Sequence, residues 1–319
     1  MLIPSLSIFV ILYVISFYMV LNTDDWFVIW LGMEINMFSF VLLIFRRNNK
    51  MCVESCLKYF FIQSLGSAII MFFFYFGKEM FLCMGGMMMS YKMGIGPFYF
   101  WFPSICEGLN WWSNFMLMFF QKIIPLMLLM IFVSWVIWLV ILMSLMIGGL
   151  GSFNQDNLKR LMAYSSIHHG GWMLLCEMVS KMLWAIYLAM YGLIICPIVV
   201  GLSKMKVESM KEIMKWSKKW WFFGGILSMG GIPPLLGFFL KWMTFYFMEM
   251  FNILMILYLL MMSILMFYIY MRIVYDLMMG ESSNIGWFFM KGNVDMWNGD
   301  MFSIVGMMMG FGFMLLMIG

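Results

Sequence analysis

About eleven stretches of roughly twenty apolar residues follow one another along this chain, and no other feature constrains its fold as strongly. They run near 3–21, 26–45, 57–76, 80–101, 112–130, 132–150, 156–176, 182–202, 220–242, 250–271 and 300–318. Each is long enough for a helix to cross a hydrocarbon layer of about 30 Å. Backbone amides and carbonyls find no water there, so each stretch must satisfy them internally, and a helix does so within a single segment. The expected fold is an all-α polytopic membrane protein of about 11 transmembrane helices. Composition agrees: 65% of the 319 residues are hydrophobic and 11% charged, with mean hydropathy +0.97. A soluble domain carries about 25% charged residues, so residues 1–319 read as one transmembrane domain with little aqueous mass. The first stretch begins almost at Met1 without a separate cleavage signal, and no cleaved targeting peptide is expected.

Charge sorts the loops. With eleven crossings, the N-terminus and the loops after the even-numbered stretches share one side. That side collects Arg46, Arg47, Lys50, Lys58, Lys159, Arg160, Lys204, Lys206, Lys211, Lys215, Lys218, Lys219, Arg272 and Lys291, which is 14 of 19 basic residues. The opposite side holds Lys78 and Lys181 beside Asp24, Asp25, Glu79, Glu177 and Glu249. The positive-inside bias places the N-terminus in the cytoplasm or mitochondrial matrix, and the C-terminus across the membrane.

Three lysines remain, Lys92, Lys122 and Lys241, each within an apolar stretch; Glu34 is the one carboxylate similarly deep. A charge at mid-bilayer costs roughly 3 kcal/mol on insertion scales, so each needs a role or a partner. Lys92 opens KMGIGP and Lys241 closes GGIPPLLGFFLKW (230–242), where Pro233 and Pro234 must break the helix. Lys122 lies in FFQKIIP, beside Gln121 and ahead of Pro125. Desolvation opposes the charged form of an amine and a neighbouring carboxylate favours it, so a Glu34–Lys92 pair that separates acts as a switch. The plainer reading is that each lysine snorkels to an interface and carries nothing.

The two broken stretches, the fourth and the ninth, lie five apart. An odd offset gives stretches one to five (about 1–131) and six to ten (132–275) opposite orientations, the pattern of an inverted repeat with two broken helices. The stretch 300–318 follows as a final span. His168 and His169 are adjacent, point about 100° apart on a helix, and cannot chelate one metal together. One of them suits proton relay; a satisfied packing histidine is the alternative. Cys52 and Cys56 share a helix face without a nearby histidine and read as inert buried thiols, as do the other four cysteines. Residues 203–219, SKMKVESMKEIMKWSKK, alternate apolar residues with lysines at helical spacing and read as a helix at the membrane surface. No nucleotide loop, dinucleotide fingerprint, haem pair or iron–sulfur cysteine set occurs, and nothing suggests nucleic-acid binding.

Six stretches carry a resemblance: WLGMEINMFSF, ESCLKYFFIQS, KMGIGPFYFWFP, FFQKIIPL, GGLGSFNQDNLKRLMAYSSIHHGGWM and LSMGGIPPLLGFFLKW. Between about 26 and 242 they resemble the antiporter-like membrane subunits of respiratory complex I (NADH–ubiquinone oxidoreductase), and among those the mitochondrially encoded chain-2 group. The resemblance implies that Glu34 and Lys92 form the coupled acid–lysine pair, Lys122 the central relay lysine, and Lys241 the lysine facing the exit. His169 stands where the family's AHMGW has its histidine, and His168 replaces its alanine. After Pro103, SICEG departs from the family's EVTQG-like pattern, so no role is carried to Glu107.

The resemblance thus implies a proton-translocating membrane-arm subunit, part of an H+-translocating NADH:ubiquinone reductase, in the mitochondrial inner membrane with its N-terminus in the matrix. No cofactor is expected on this chain; FMN, iron–sulfur clusters and ubiquinone are expected in partner subunits. Expected partners are neighbouring antiporter-like subunits and a lipid such as cardiolipin. A free-standing cation/proton antiporter is the competing reading, and a passive scaffold a third.

Overall fold

The computed structural model describes residues 4–279, apart from 48, 75–77, 133, 154, 181, 206, 215–218, 234 and 249–252. The expected final span at 300–318 and the polar connection before it lie outside the described residues. Nearly everything described is helix, as the hydrocarbon argument requires.

The chain opens with α1 (Pro4–Asn22), α2 (Trp26–Ile44) and α3 (Lys50–Phe74), each packed on the next. α4 (Lys78–Met93) then stops, a single 3₁₀ turn follows at Gly96–Phe98, and α5 (Trp101–Gly108) resumes. After α6 (Trp111–Met118) and α7 (Phe120–Leu129) come α8 (Trp135–Gly151), α9 (Leu158–Val179) and α10 (Leu183–Met205). A short α11 (Met210–Met214) leads to the second interrupted helix, α12 (Lys219–Gly230) and α13 (Leu236–Phe247), and α14 (Ile253–Met279) ends the described chain.

Five of these segments are both long and apolar enough to cross a membrane: Trp26–Ile44, Lys50–Phe74, Trp111–Leu129, Leu183–Lys204 and Ile253–Asp276. Ser7–Asn22 and Trp135–Gly151 are apolar but shorter. Among the described residues these five are found and the expected count of about eleven is not confirmed, although helix occupies each of the first ten expected stretches. The shortfall has a physical source at the Gly/Pro interruptions, which divide the fourth and ninth stretches into pieces. The fifth stretch also loses its regularity, at Phe119 (φ −111°, ψ −68°), between α6 and α7. Pro125 lies further on, inside α7, where it has no amide to donate and its ring crowds the carbonyl of Gln121.

Residues 203–219 do not form one surface helix. α10 continues through Met205, Ser209 makes an antiparallel bridge with Asn157, and among the described residues beyond it helix returns at Met210–Met214 and again at Lys219. Leu158 and Met210 donate backbone hydrogen bonds across this bridge to the Glu208 and Asp156 carbonyls. Amphipathic spacing favoured a helix, but pairing with the chain ahead of α9 supplied the backbone partners instead.

α8 and α9 cross on small residues. A Cβ on Gly148 would sit 2.6 Å from the His168 Cβ and 2.7 Å from its amide nitrogen, and one on Gly171 would meet the Ser144 hydroxyl. Without a hydrophobic drive in lipid, such small residues let helices reach close contact. Gly148→Val is expected to force the pair apart at a cost of about 2–3 kcal/mol. Reduced steady-state levels of the chain in membranes would record it; wild-type levels and melting would show that the crossing yields.

Candidate functional site: a buried lysine row

At the first break, Gly94 (φ 66°) and Gly96 (φ 69°) adopt left-handed backbone, where a side chain is strained. There is also no room for one: a Cβ at Gly94 would lie 2.8 Å from the Phe102 Cβ, and at Gly96 2.8 Å from Val140 Cγ1. The break orphans carbonyls at the end of α4, and side chains from elsewhere take them up. Gln63 Nε2 donates to the Lys92 carbonyl at 2.9 Å, and Trp101 Nε1 to that of Tyr91 at 3.2 Å. The Lys92 ammonium is buried and meets the Met33 sulfur at 3.6 Å. Half-buried Glu34, one residue on, stands within electrostatic reach but is not in direct ion-pair contact. The sequence paired the two; the structure sets them near each other and separated. A cavity of about 20 Å³, room for one or two waters, is lined by Lys92, Asn36, Gln63, Tyr59, Gln121 and Pro125, among others. It reaches from the first lysine to the turn of α7 that carries the second.

Lys122 is 1% exposed. Its ammonium donates to the Ser166 carbonyl on α9 at 2.6 Å and lies 5.6 Å from the Phe102 ring centre and 5.7 Å from that of Tyr191. Ring faces and one carbonyl are weak substitutes for water, and cation–π contacts gain weight when desolvated. Snorkelling does not describe this residue. Lys92 and Lys241, at 9% and 8% exposure, are buried as well.

The two histidines divide their roles. Trp172 Nε1, which can only donate, gives its hydrogen bond to His168 Nε2 at 3.1 Å, so His168 Nδ1 carries the proton and faces the Leu145 carbonyl at 3.4 Å. His168 is a packing histidine with both nitrogens engaged. His169 Nδ1 is 2.8 Å from the Tyr187 hydroxyl, and both Lys122 and Lys241 lie within electrostatic reach of it, Lys241 also within reach of His168.

At the second break, Gly231 turns the chain with φ 82°, and Pro233 follows; Pro234 is outside the described residues. The carbonyls that close α12 point into this gap. Lys241, one turn into α13, donates to the Gly230 carbonyl at 3.1 Å. An ammonium at a helix C-terminus is favoured by the helix dipole, which gives the buried charge a reason to sit there. Glu34 on α2 is thus within electrostatic reach of Lys92 on α4, Lys122 on α7 is bonded to α9, and His169 on α9 is within electrostatic reach of Lys122 and of Lys241 on α13.

Sequence reasoning missed a tie at the rim. Glu107, at the end of α5, accepts from both guanidinium Nε and a terminal nitrogen of Arg160 and from Asn157 Nδ2 at 3.0 Å. Lys159 pairs with Glu208 at 2.6 Å. Only the excess of lysine and arginine on that side hinted at it. Among the described residues no cluster of three metal-ligating side chains forms. Cys52 gives its thiol to the Ile44 carbonyl at 3.5 Å.

Comparisons with known proteins converge. The family described as NADH:quinone oxidoreductase/Mrp antiporter, TM, matches residues 23–266. The NADH-ubiquinone oxidoreductase chain 2 of Anopheles gambiae is 35% identical over 304 residues, covering 89% of each chain. That of Aedes aegypti is 34% identical over 306 residues, 90% of each. In fold, a chain of respiratory complex I from Thermus thermophilus aligns with TM-score 0.77 at 19% identity, over 96% of this chain and 77% of that one. A chain of the Mrp complex from Dietzia aligns with TM-score 0.76 at 14% identity, over 97% and 75%.

Proposed function

The chain belongs to the NADH:quinone oxidoreductase/Mrp antiporter family, and from that premise we infer what its buried charges do. It is a proton-translocating membrane-arm subunit of complex I. The reading of its site rests on one observation: three lysines and a histidine are enclosed in one apolar core, and among the described residues none of the three lysines has a carboxylate in ion-pair contact. Such groups are expensive in a membrane, and where they are kept inside a bundle they mark ion or proton paths.

In this reading a proton held at Lys92 passes through the hydrated cavity beside Gln121 to Lys122. The ammonium of Lys122 protonates His169, and His169 hands the proton to Lys241 at the second break. Glu34 sets the timing at the first lysine, since its carboxylate stabilises the charged amine while it is near. NADH oxidation and quinone reduction belong to partner subunits that carry FMN and iron–sulfur clusters; this chain turns their signal into proton movement. The two interrupted helices take equivalent places in inverted repeats of about 1–131 and 132–275. The N-terminus lies in the matrix and the C-terminus in the intermembrane space, and cardiolipin contacts the basic rim.

A free-standing antiporter would use the same broken helices, and the Mrp likeness in fold is compatible with it. The curated relatives, at 34–35% identity over about nine-tenths of the chain, favour complex I. Native-gel migration separates the two. The chain is expected in a megadalton band that contains flavin and iron and oxidises NADH. Migration as a small species, with cation/proton exchange by the purified chain alone, would favour the antiporter.

A further inference from the structure

A relay along the lysine row must be refilled from one face of the membrane, and the contact of α5 with α9 has a lysine at each end. At its deep end the Lys122 ammonium lies 5.6 Å from the centre of the Phe102 ring and donates to the Ser166 carbonyl at 2.6 Å. At its rim end Lys159, 4% exposed, donates to the Glu107 carbonyl at 3.4 Å and lies 6.0 Å from the centre of the Trp111 ring. Lys159 and Ser166 share one face of α9, about 10 Å apart along its axis. Cys106, one turn from Phe102 on α5, is fully buried in this interval and within electrostatic reach of both lysines.

α6 adds two amides to the same interval. Asn114 is 0% exposed and donates from Nδ2 to the Cys106 carbonyl at 2.8 Å. Among the described residues its Oδ1 is enclosed and meets no donor. Asn110, one turn nearer the rim and next to Trp111, has an enclosed Nδ2 that meets no acceptor. Packing does not require these groups. A buried amide oxygen without a donor costs about 1–3 kcal/mol, and leucine fills a similar volume without that cost. Buried water makes about three hydrogen bonds to such atoms. The rim end also reaches solution, because Lys159 pairs at 2.6 Å with Glu208, whose carboxylate is 62% exposed.

We propose that Asn110, Asn114 and Cys106 line a proton-uptake path from the Lys159–Glu208 pair at the rim to Lys122. This rests on the relay reading and supplies its protons. Water held along the two amides takes a proton from the Lys159 ammonium as it gives one of its own to the neutral Lys122 amine. Lys159 then regains a proton from solution by way of Glu208, so one proton has moved from the bathing medium to Lys122. Asn114 is a positioning residue in this path: it holds the water and exchanges no proton itself.

The experiment uses the assembled complex in proteoliposomes, carrying Asn114→Leu, Asn114→Ser or Lys159→Met, with Lys122→Met as reference. Asn114→Leu and Lys159→Met are each expected to give a normal native-gel band, slow NADH-driven proton uptake roughly tenfold and change the solvent deuterium effect. Asn114→Ser keeps an oxygen for the water and is expected to restore most of the rate. Full uptake in Asn114→Leu or in Lys159→Met, with Lys122→Met inactive, would overturn the path and leave the relay standing. Full uptake in Lys122→Met as well would remove the relay itself. Slow uptake in Asn114→Leu and Asn114→Ser alike, with an unchanged deuterium effect, would mark Asn114 as structural and overturn the path. If Asn114→Leu does not assemble, Lys159→Met and Asn114→Ser decide by the same two readouts.

Discussion

Replacing Lys122 with methionine is expected to stop proton transfer through this chain while the complex still assembles. Methionine keeps the length and apolar stem of the side chain and removes only the ammonium. Among the described residues that ammonium has no carboxylate in ion-pair contact; it meets the Ser166 carbonyl and two ring faces. Exchanging an incompletely compensated buried charge for an apolar group of similar volume is neutral or stabilising by about 1–4 kcal/mol. Ser166 loses little, because its carbonyl lies inside α9 and keeps the helical ladder. A positioned acid–base group contributes about 10²–10⁴ to a proton-transfer rate, so its loss should be unmistakable. Proton yield per NADH, read beside the native-gel band, measures it. A normal band with an undiminished yield removes Lys122 from the path.

Gly237→Ala should act through the backbone and more severely. The added methyl group would coincide with the Ser228 carbonyl oxygen, and Gly231 Cα stands 3.4 Å away. A backbone carbonyl cannot rotate aside as a side chain does. α12 and α13 would have to part, taking with them the 3.1 Å bond from Lys241 to the Gly230 carbonyl. The expected cost is about 3 kcal/mol or more, enough to prevent accumulation of the subunit. Gly224→Ala, also in α12, is the control: nothing lies within 4 Å of its new methyl group. That variant should gain roughly 0.5–1 kcal/mol from helix propensity. Equal accumulation of the two variants would show that the elbow at the second break is not closed.

Much of the scaffold was legible because membrane folding uses few rules. KMGIGP and GGIPP announced breaks, and the left-handed Gly94, Gly96 and Gly231 lie within them. Lysine in apolar sequence marked the site, since its cost is local to each residue. What joins distant helices was not legible. Glu107 and Arg160 are 53 residues apart, and no periodicity links them. The surface helix expected at 203–219 failed for the same reason, since its competitor was a segment some fifty residues earlier.

The rim tie of Glu107 and Arg160 differs from the lysine row in its access to electrolyte. Arg160 is 46% exposed and Glu107 29%. At physiological ionic strength charges are screened over about 8 Å of water, and exposed pairs contribute at most about 1 kcal/mol. The grip between α5 and α9 therefore varies with the salt on that face. The lysine row, enclosed by ring faces and apolar helix, has no mobile ions around it. Its field reaches further and keeps its strength as the solution changes. One molecule thus holds two electrical compartments, an outer one tuned by the bathing medium and an inner one insulated from it.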